Sequence, residues 1–152
     1  ELQHSHLITM TLTVDFAGMV TIGQTPAGLR RIAPVTGGVF TGERLNGEVL
    51  PGGNDWLINR ADGVMVIDVR LTLNTDDGAL IYLSYQGRFL AAPDAMERFA
   101  KGIPLDPSEY SLAMVAKFEC GDPRYDWLNN VVAVGTGERT PTGPIYSIFA
   151  IG

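Results

Sequence analysis

The chain has 152 residues and a net charge of −6, a length that fits one domain with a substantial buried core. Hydrophobic residues make up 45% and charged residues 18% of the sequence, which is typical of a soluble globular protein and excludes a disordered chain. Binding to phosphate backbones or anionic membranes requires a basic face, so we expect neither nucleic acid nor membrane as a partner.

Strand patterns dominate the first sixty residues. In Leu7–Asp15, apolar residues alternate with threonines, the period of a half-buried strand. Glycine- and proline-containing turns separate the segments that follow. The further predicted strands are Met19–Gln24, Arg30–Val35, Gly38–Phe40, Leu45–Leu50 and Asp55–Arg60.

The clearest element is a hairpin in the middle of the chain. Val64–Leu73 alternates strictly, and Ala79–Gln86 is its returning partner. The turn between them ends in Asp77-Gly78, a pair suited to positive φ. One face of the first strand is wholly apolar, whereas the other carries Asp68 and Arg70.

The last third contains the only predicted helices. Pro93–Lys101 is a helix in a long connection, and Arg124–Asn129 is a helical turn that opens with Asp-Pro. Ser111–Glu119 is a strand, and Val131–Val134 pairs with Ile145–Ile151. Nine or ten short strands predict an all-β protein, with residues 1–152 forming a single antiparallel β-barrel domain.

Two arrangements satisfy the Val64–Leu73 strand. In the first, the apolar face points inward and Asp68 and Arg70 are in solvent. In the second, Asp68 and Arg70 line a lumen, and helix Pro93–Lys101 or another subunit covers the apolar face. The alternation alone favours the first arrangement.

Two other segments combine aromatic and polar groups. Asp55-Trp56 follows a glycine-rich turn, so Asp55 is either an acid or base in an apolar pocket or a turn aspartate beside a core tryptophan. Tyr125 and Asn129 lie on the short helical turn, which either presents them to a ligand or plugs one barrel end. Among the strand tyrosines, Tyr85 is the one that we expect to donate its hydroxyl into a lumen.

Other reactive side chains predict little chemistry. His4 and His6 do not by themselves make a metal site. The single cysteine, Cys120, forms no internal disulfide and fits a reducing compartment, so we expect a cytoplasmic protein. No nucleophile elbow, phosphate loop or Cys-x-x-Cys pair occurs. We therefore expect no metal and no cofactor.

Six blocks of the chain resemble the domain-of-unknown-function 3237 family. The resemblance implies a lipocalin-like barrel, and it favours a lumen that contains Asp55-Trp56 and the Asp68/Arg70 pair. With that resemblance, we prefer the second arrangement of the central strand. The matching blocks, in chain order, are Ile22–Arg30, Thr36–Gly42, Leu50–Trp56, Asp68–Arg70, Thr75–Ala79 and Tyr125–Asn129.

The predicted function is a cofactor-independent lyase or isomerase that acts on a small apolar or aromatic molecule in the lumen. Asp55 or Asp68 would move a proton, and Arg70 would stabilise negative charge. The residues that we expect to bind substrate are Trp56, Tyr85, Tyr125 and Asn129.

Two alternatives belong to other classes of protein. One is a carrier or sensor that binds a small ligand without catalysis, in an apolar cavity with few converging polar groups. The other is an assembly module with no ligand, which requires a lumen filled by side chains. In each case we expect a homo-oligomer.

Overall fold

The computed structural model describes all 152 residues, which form ten β-strands, one α-helix and two short 3-10 helices. The helix α1 is Pro93–Ala100, and the 3-10 helices are Pro107–Glu109 and Pro123–Asn130. The strands are β1 His4–Val14, β2 Val20–Thr25, β3 Gly28–Thr41, β4 Gly47–Val49, β5 Gly53–Asn59, β6 Met65–Thr75, β7 Leu80–Ala91, β8 Tyr110–Cys120, β9 Ala133–Thr140 and β10 Gly143–Ile151.

The sheet closes on itself through β1. From β1 it runs through β10, β9, β8, β7 and β6 to β3, and β3 pairs back onto β1. The short strands β4 and β5 share one position between β6 and β3, so the closed barrel has eight strand positions, all antiparallel. The predicted all-β barrel is therefore confirmed, and closure leaves few free strand edges.

Strand β6 turns its apolar face inward. The five residues from Met65 to Leu73 on that face are all buried, whereas Asp68 is half-buried and Arg70 is exposed on the outside. The preferred prediction that Asp68 and Arg70 line the lumen is wrong, and the first arrangement is correct. The physical reason is that five apolar side chains are removed from water by facing the barrel interior, while two charged groups keep their hydration outside.

Helix α1 lies at one end of the barrel rather than over the outer face of β6. Ala95 is buried, and Met96 and Phe99 pack against the core. The ring centroid of Phe99 lies 4.9 Å from that of Phe89 on β7. The predicted helix is confirmed, and its predicted position over β6 is wrong. Neither α1 nor any other helix has the length and hydropathy needed to cross a bilayer.

The two ends of the barrel differ in packing. At the end opposite α1, which we call the closed end, large apolar side chains are packed in the interior. Leu128 of the 3-10 helix Pro123–Asn130, which we call the plug helix, is fully buried there. The other large side chains buried at this end, each 0–1% exposed, are Ile8, Phe40, Leu45, Leu73, Ile81 and Ile148.

Candidate functional site

The half of the barrel next to α1, which we call the open end, contains a cavity. A lumen cavity of about 190 Å³ leads to a vestibule of about 360 Å³ between α1 and the β9–β10 turn, and Phe16, Phe99 and Arg139 line both. The filled lumen that the assembly hypothesis requires is therefore found only at the closed end. The other residues of the lumen cavity are Leu12, Val14, Met19, Arg31, Ala33, Val35, Asp55, Leu57, Met65, Ile67, Val69, Tyr85, Pro144 and Tyr146.

Asp55 is the carboxyl group of the lumen cavity. On β5 it pairs with Ala33 of β3 and Val69 of β6, both of which also face inward. Its Oδ1 accepts a hydrogen bond of 3.0 Å from the backbone N–H of Asp68, where the pairing of β5 with β6 is interrupted. Burial raises the pKa of Asp55 to about 6, and the hydrogen bond opposes that rise.

Tyr85 and Tyr146 lie beside Asp55 in the cavity. Their ring centroids are 5.2 Å apart in an edge-to-face arrangement, and both side chains are buried. Burial, with Asp55 as a further contributor, raises the pKa of both phenols, so both stay neutral. Opposite Tyr146 is Gly137, where a Cβ atom would lie 2.8 Å from the Tyr146 ring. The glycine therefore makes room for the Tyr146 ring.

Arg139 is a site residue that the sequence analysis missed. Its guanidinium carbon lies 4.9 Å from the ring centroid of Phe99, 5.6 Å from that of Phe89 and 6.0 Å from that of Phe16. No carboxylate forms an ion pair with it, and burial lowers its pKa. Alternate residues of a strand face the same side, so the buried Ala133 predicts an inward-facing Arg139. The residues between them on that face are Gly135 and Gly137, which obscure the apolar alternation.

Arg31 is the second cation of the lumen cavity. It is opposite the inward-facing Leu57 in the pairing of β3 with β5. Its Nε donates a hydrogen bond of 3.0 Å to Oδ1 of Asn59. With Arg139 and Asp55, the cavity holds two cations and one titratable carboxyl group, so its charge favours an electron-rich oxygen on a ligand.

Three of the predicted site residues lie on the outside of the barrel. Trp56 follows Asp55 in an extended strand, so its side chain points away from the lumen. There its ring lies 5.5 Å from the guanidinium carbon of Arg70. Asp68 reaches the cavity only through its backbone N–H. The predictions that Trp56, Asp68 and Arg70 contact a ligand in the lumen are therefore wrong.

Tyr125 and Asn129 lie at the closed end, on the plug helix. The Tyr125 hydroxyl donates to the Asp77 carboxylate at 2.8 Å. Asn129 accepts from the backbone N–H of Cys120 and donates to the carbonyl of Cys120, each at 2.9 Å. Both side chains fasten the plug, so the predicted ligand contacts are wrong and the alternative of a structural plug is correct.

The remaining candidate groups do not assemble around the cavity. His6 Nε2 is 2.9 Å from Oγ1 of Thr9, and His4 packs against Phe149. The chain contains no cluster of three or more His, Cys, Asp or Glu side chains that could hold a metal ion. The chemistry that this arrangement offers is proton transfer by Asp55 and hydrogen bonding by the two phenols.

Comparison with known proteins identifies the family. The model of DUF3237, a family of proteins of unknown function, matches residues 3–151. A UPF0311 protein of Clostridium acetobutylicum is 32% identical over 152 residues, which are 99% of this chain and 95% of that protein. The crystal structure of a beta-barrel like protein from Acinetobacter baumannii has a TM-score of 0.87 at 37% identity, covering 100% of this chain and 97% of that one. A hydroalkoxylation enzyme of Penicillium herquei is 27% identical over 113 residues, 74% of this chain and 60% of the enzyme. These similarities confirm the resemblance seen in the sequence, and the chain belongs to the DUF3237 family.

Proposed function

We propose that this barrel is a cofactor-independent lyase or isomerase that binds a small apolar or aromatic molecule in its open end. Asp55 is the group that moves the proton. The observation that supports this proposal is the placement of one half-buried carboxyl group and two buried, neutral phenols around a cavity. Together, the lumen cavity and the vestibule fall within the roughly 300–1,000 Å³ typical of small-molecule sites.

The environment of Asp55 suits transfer in either direction. With a pKa of about 6, about one Asp55 in ten is protonated at pH 7. Such a group accepts a proton from carbon or oxygen in its usual state and delivers one from its minor state. The N–H of Asp68 fixes one carboxyl oxygen and leaves the other for substrate.

Tyr85 and Tyr146 complete the proton-transfer site. A neutral phenol donates a hydrogen bond to an oxygen on which negative charge develops, and this is strongest where water is excluded. Both rings are buried next to Asp55. They take the stabilising role that the sequence analysis gave to Arg70.

The Penicillium relative supports chemistry of this class. Hydroalkoxylation adds the O–H of an alcohol or phenol across a carbon–carbon double bond. The oxygen forms a bond to one carbon, the other carbon gains a proton, and no oxidant or cofactor is consumed. Within one molecule this addition is an isomerisation, and its reverse is an elimination. A carboxyl group that donates one proton and accepts another serves both directions.

The test uses a panel of phenols that carry an ortho alkenyl chain, beginning with 2-prenylphenol in D₂O. We expect a cyclic ether with one deuterium on carbon, and a rate that falls about a hundredfold or more in Asp55→Asn because the acid is lost. Asp76→Asn, which removes an exposed carboxylate, is the control and leaves the rate unchanged. An Asp55→Asn rate equal to that of the control rejects the assignment.

A non-catalytic carrier or sensor is the second candidate. It is favoured by the lining of the lumen cavity, where 13 of 17 residues are hydrophobic. Native mass spectrometry of the purified protein identifies a bound molecule in either case. A carrier retains that molecule unchanged in mass and structure through repeated incubation, and Asp55→Asn retains it equally well. Conversion of the molecule by the wild type alone rejects the carrier.

A further inference from the structure

We infer that Arg139 and the phenylalanine rings around it form a binding subsite for an aromatic ring that carries an anionic oxygen substituent. This inference rests on the proposed function only in placing a ligand in the open end. It adds the chemical class of that ligand and the side chain that recognises it.

Arg139 differs in its partners and exposure from the other arginines of the chain. Arg98 binds Glu109 at 2.7 Å, Arg124 binds Asp122 at 2.8 Å, and Arg60 pairs with Asp62. Arg70 is exposed to water. Arg139 is half-buried, yet it has no ion pair and its guanidinium donates no hydrogen bond to another residue.

Removing a guanidinium from water, even in part, is unfavourable unless an anion or hydrogen-bond acceptors replace the lost hydration. Three aromatic faces compensate only in part, since cation–π contacts are weaker than the hydration that a guanidinium loses. The planar fork of N–H donors remains free, and that fork matches the two oxygens of a carboxylate. The unfilled requirement is therefore an anionic oxygen.

The surroundings of Arg139 in the vestibule are apolar and aromatic. Phe16, Phe89 and Phe99 line the vestibule together with Ile103 and Leu105. Faces of this kind stack on a flat aromatic ring better than on a flexible polar chain. A free inorganic anion would satisfy the guanidinium but would leave this apolar surface uncovered. The combination of one cation and several rings points to an aromatic anion.

The subsite lies where the vestibule meets the lumen cavity that contains Asp55. Arg139 lines both the vestibule and the lumen cavity, whereas Asp55 and Tyr85 line the lumen cavity and not the vestibule. A ligand anchored on Arg139 therefore reaches inward to the proton-transfer site. Arg139 thus determines which substrates are held, and Asp55 acts on the part that enters the lumen.

The experiment measures binding of 2-naphthoate and of its neutral counterpart 2-naphthamide by isothermal titration calorimetry. The two compounds have nearly the same shape and differ in charge. We expect the wild type to bind 2-naphthoate about tenfold or more tightly than 2-naphthamide, because only the carboxylate accepts charge-assisted hydrogen bonds. Arg139→Met should abolish that preference by weakening only the naphthoate. Arg139→Lys, which keeps the charge but not the fork, should retain part of it.

Arg70→Met is the matched control, since it removes an arginine that packs on an aromatic ring outside the barrel. It should leave both affinities unchanged, and circular dichroism should show that every variant is folded. Equal wild-type affinities, no binding of either compound, an undiminished preference in Arg139→Met or an equal loss in Arg70→Met would each overturn the inference. Should Arg139→Met not fold, the wild-type preference and its reduction in Arg139→Lys decide the same question.

The outcome is separable from that of the proposed function. Asp55→Asn should bind 2-naphthoate at least as tightly as the wild type, because it loses negative charge near the anion. A naphthoate preference with no effect of Asp55→Asn on turnover supports this subsite and rejects the catalytic role. Turnover that depends on Asp55 without a naphthoate preference does the reverse.

Discussion

The Asp55 side chain is half-buried in the wall of the lumen cavity. Apolar side chains and two phenol rings surround it, and the N–H of Asp68 donates one hydrogen bond to it. Burial raises its pKa to about 6, against 3.8 in an unfolded chain. A carboxyl group whose pKa lies this close to neutral pH is common at catalytic sites and is disfavoured elsewhere in a protein core.

This pKa predicts an inverted contribution to stability. Between about pH 4 and 6 the folded state binds a proton at Asp55 that the unfolded state has released, so this contribution to the free energy of unfolding falls as pH rises. The two pKa values differ by about 2 units, which corresponds to about 3 kcal/mol. Asp55→Asn should remove this dependence and stabilise the protein by about 2–3 kcal/mol at pH 7.

Urea unfolding of the wild type, Asp55→Asn and Asp76→Asn at pH 4 and pH 7 measures the effect. Asp76 is exposed, so its variant controls for the loss of one charge. The prediction fails if the pH dependence of Asp55→Asn equals that of Asp76→Asn.

Among the elements, the plug helix fixes which end of the barrel is open. Leu128 fills the interior at the closed end, and Asn129 binds both backbone groups of Cys120 at the end of β8. Arg44 also stacks on the Trp127 ring, 3.6 Å from its centroid. These contacts explain why the densest aromatic and polar segment of the sequence is structural rather than functional.

Asn129→Ala should lower the free energy of unfolding by about 1–3 kcal/mol, because two backbone groups of Cys120 lose their partners. Asn130→Ala, at the next position, is the matched control, since the Asn130 side chain makes no hydrogen bond within the chain. Ligand binding at the open end should stay the same in both variants. A weakened affinity in Asn129→Ala alone would contradict the separation of the two ends.

At the scale of the whole molecule, closure of the barrel brings the backbones of β3 and β1 close together. Gly38 of β3 is opposite Leu12 of β1, with φ of +151°, and a Cβ atom there would overlap the Thr11 carbonyl oxygen. Gly23 also has positive φ, at +119°, but has no atom near the position of a Cβ. Comparing the two positions therefore separates the effect of backbone strain from the effect of the close approach between β3 and β1.

Gly38→Ala should therefore destabilise the protein more than Gly23→Ala does. Strain from the positive φ alone costs about 1–3 kcal/mol at either position, and displacement of β1 adds to it only at Gly38. Thermal unfolding of the two variants measures the difference. Equal melting temperatures would show that the close approach of β3 to β1 at Gly38 adds nothing to the cost of strain.

The sequence predicted much of this architecture and less of the site. Turn spacing and alternation gave the strands, although Gly37-Gly38 suggested a break where β3 is continuous. The glycine-rich turn before Asp55 and the family resemblance predict Asp55 in the lumen, and Tyr85 is predicted there as a strand tyrosine. The direction of β6 depends on tertiary packing, so preferring the Asp68/Arg70 face for the lumen was wrong. Arg139 was missed because glycines on its inward face leave no apolar alternation to follow.

The central claim is that Asp55 is a proton-transfer group poised near neutrality in the lumen. Carbon-detected NMR of ¹³C-labelled protein, with the Asp55 carboxyl resonance assigned by its absence in Asp55→Asn, measures its titration directly. We predict a midpoint near pH 6 in the ligand-free protein, because burial raises the pKa of Asp55 to about 6. A midpoint near the ordinary aspartate value of about 4 would contradict the account.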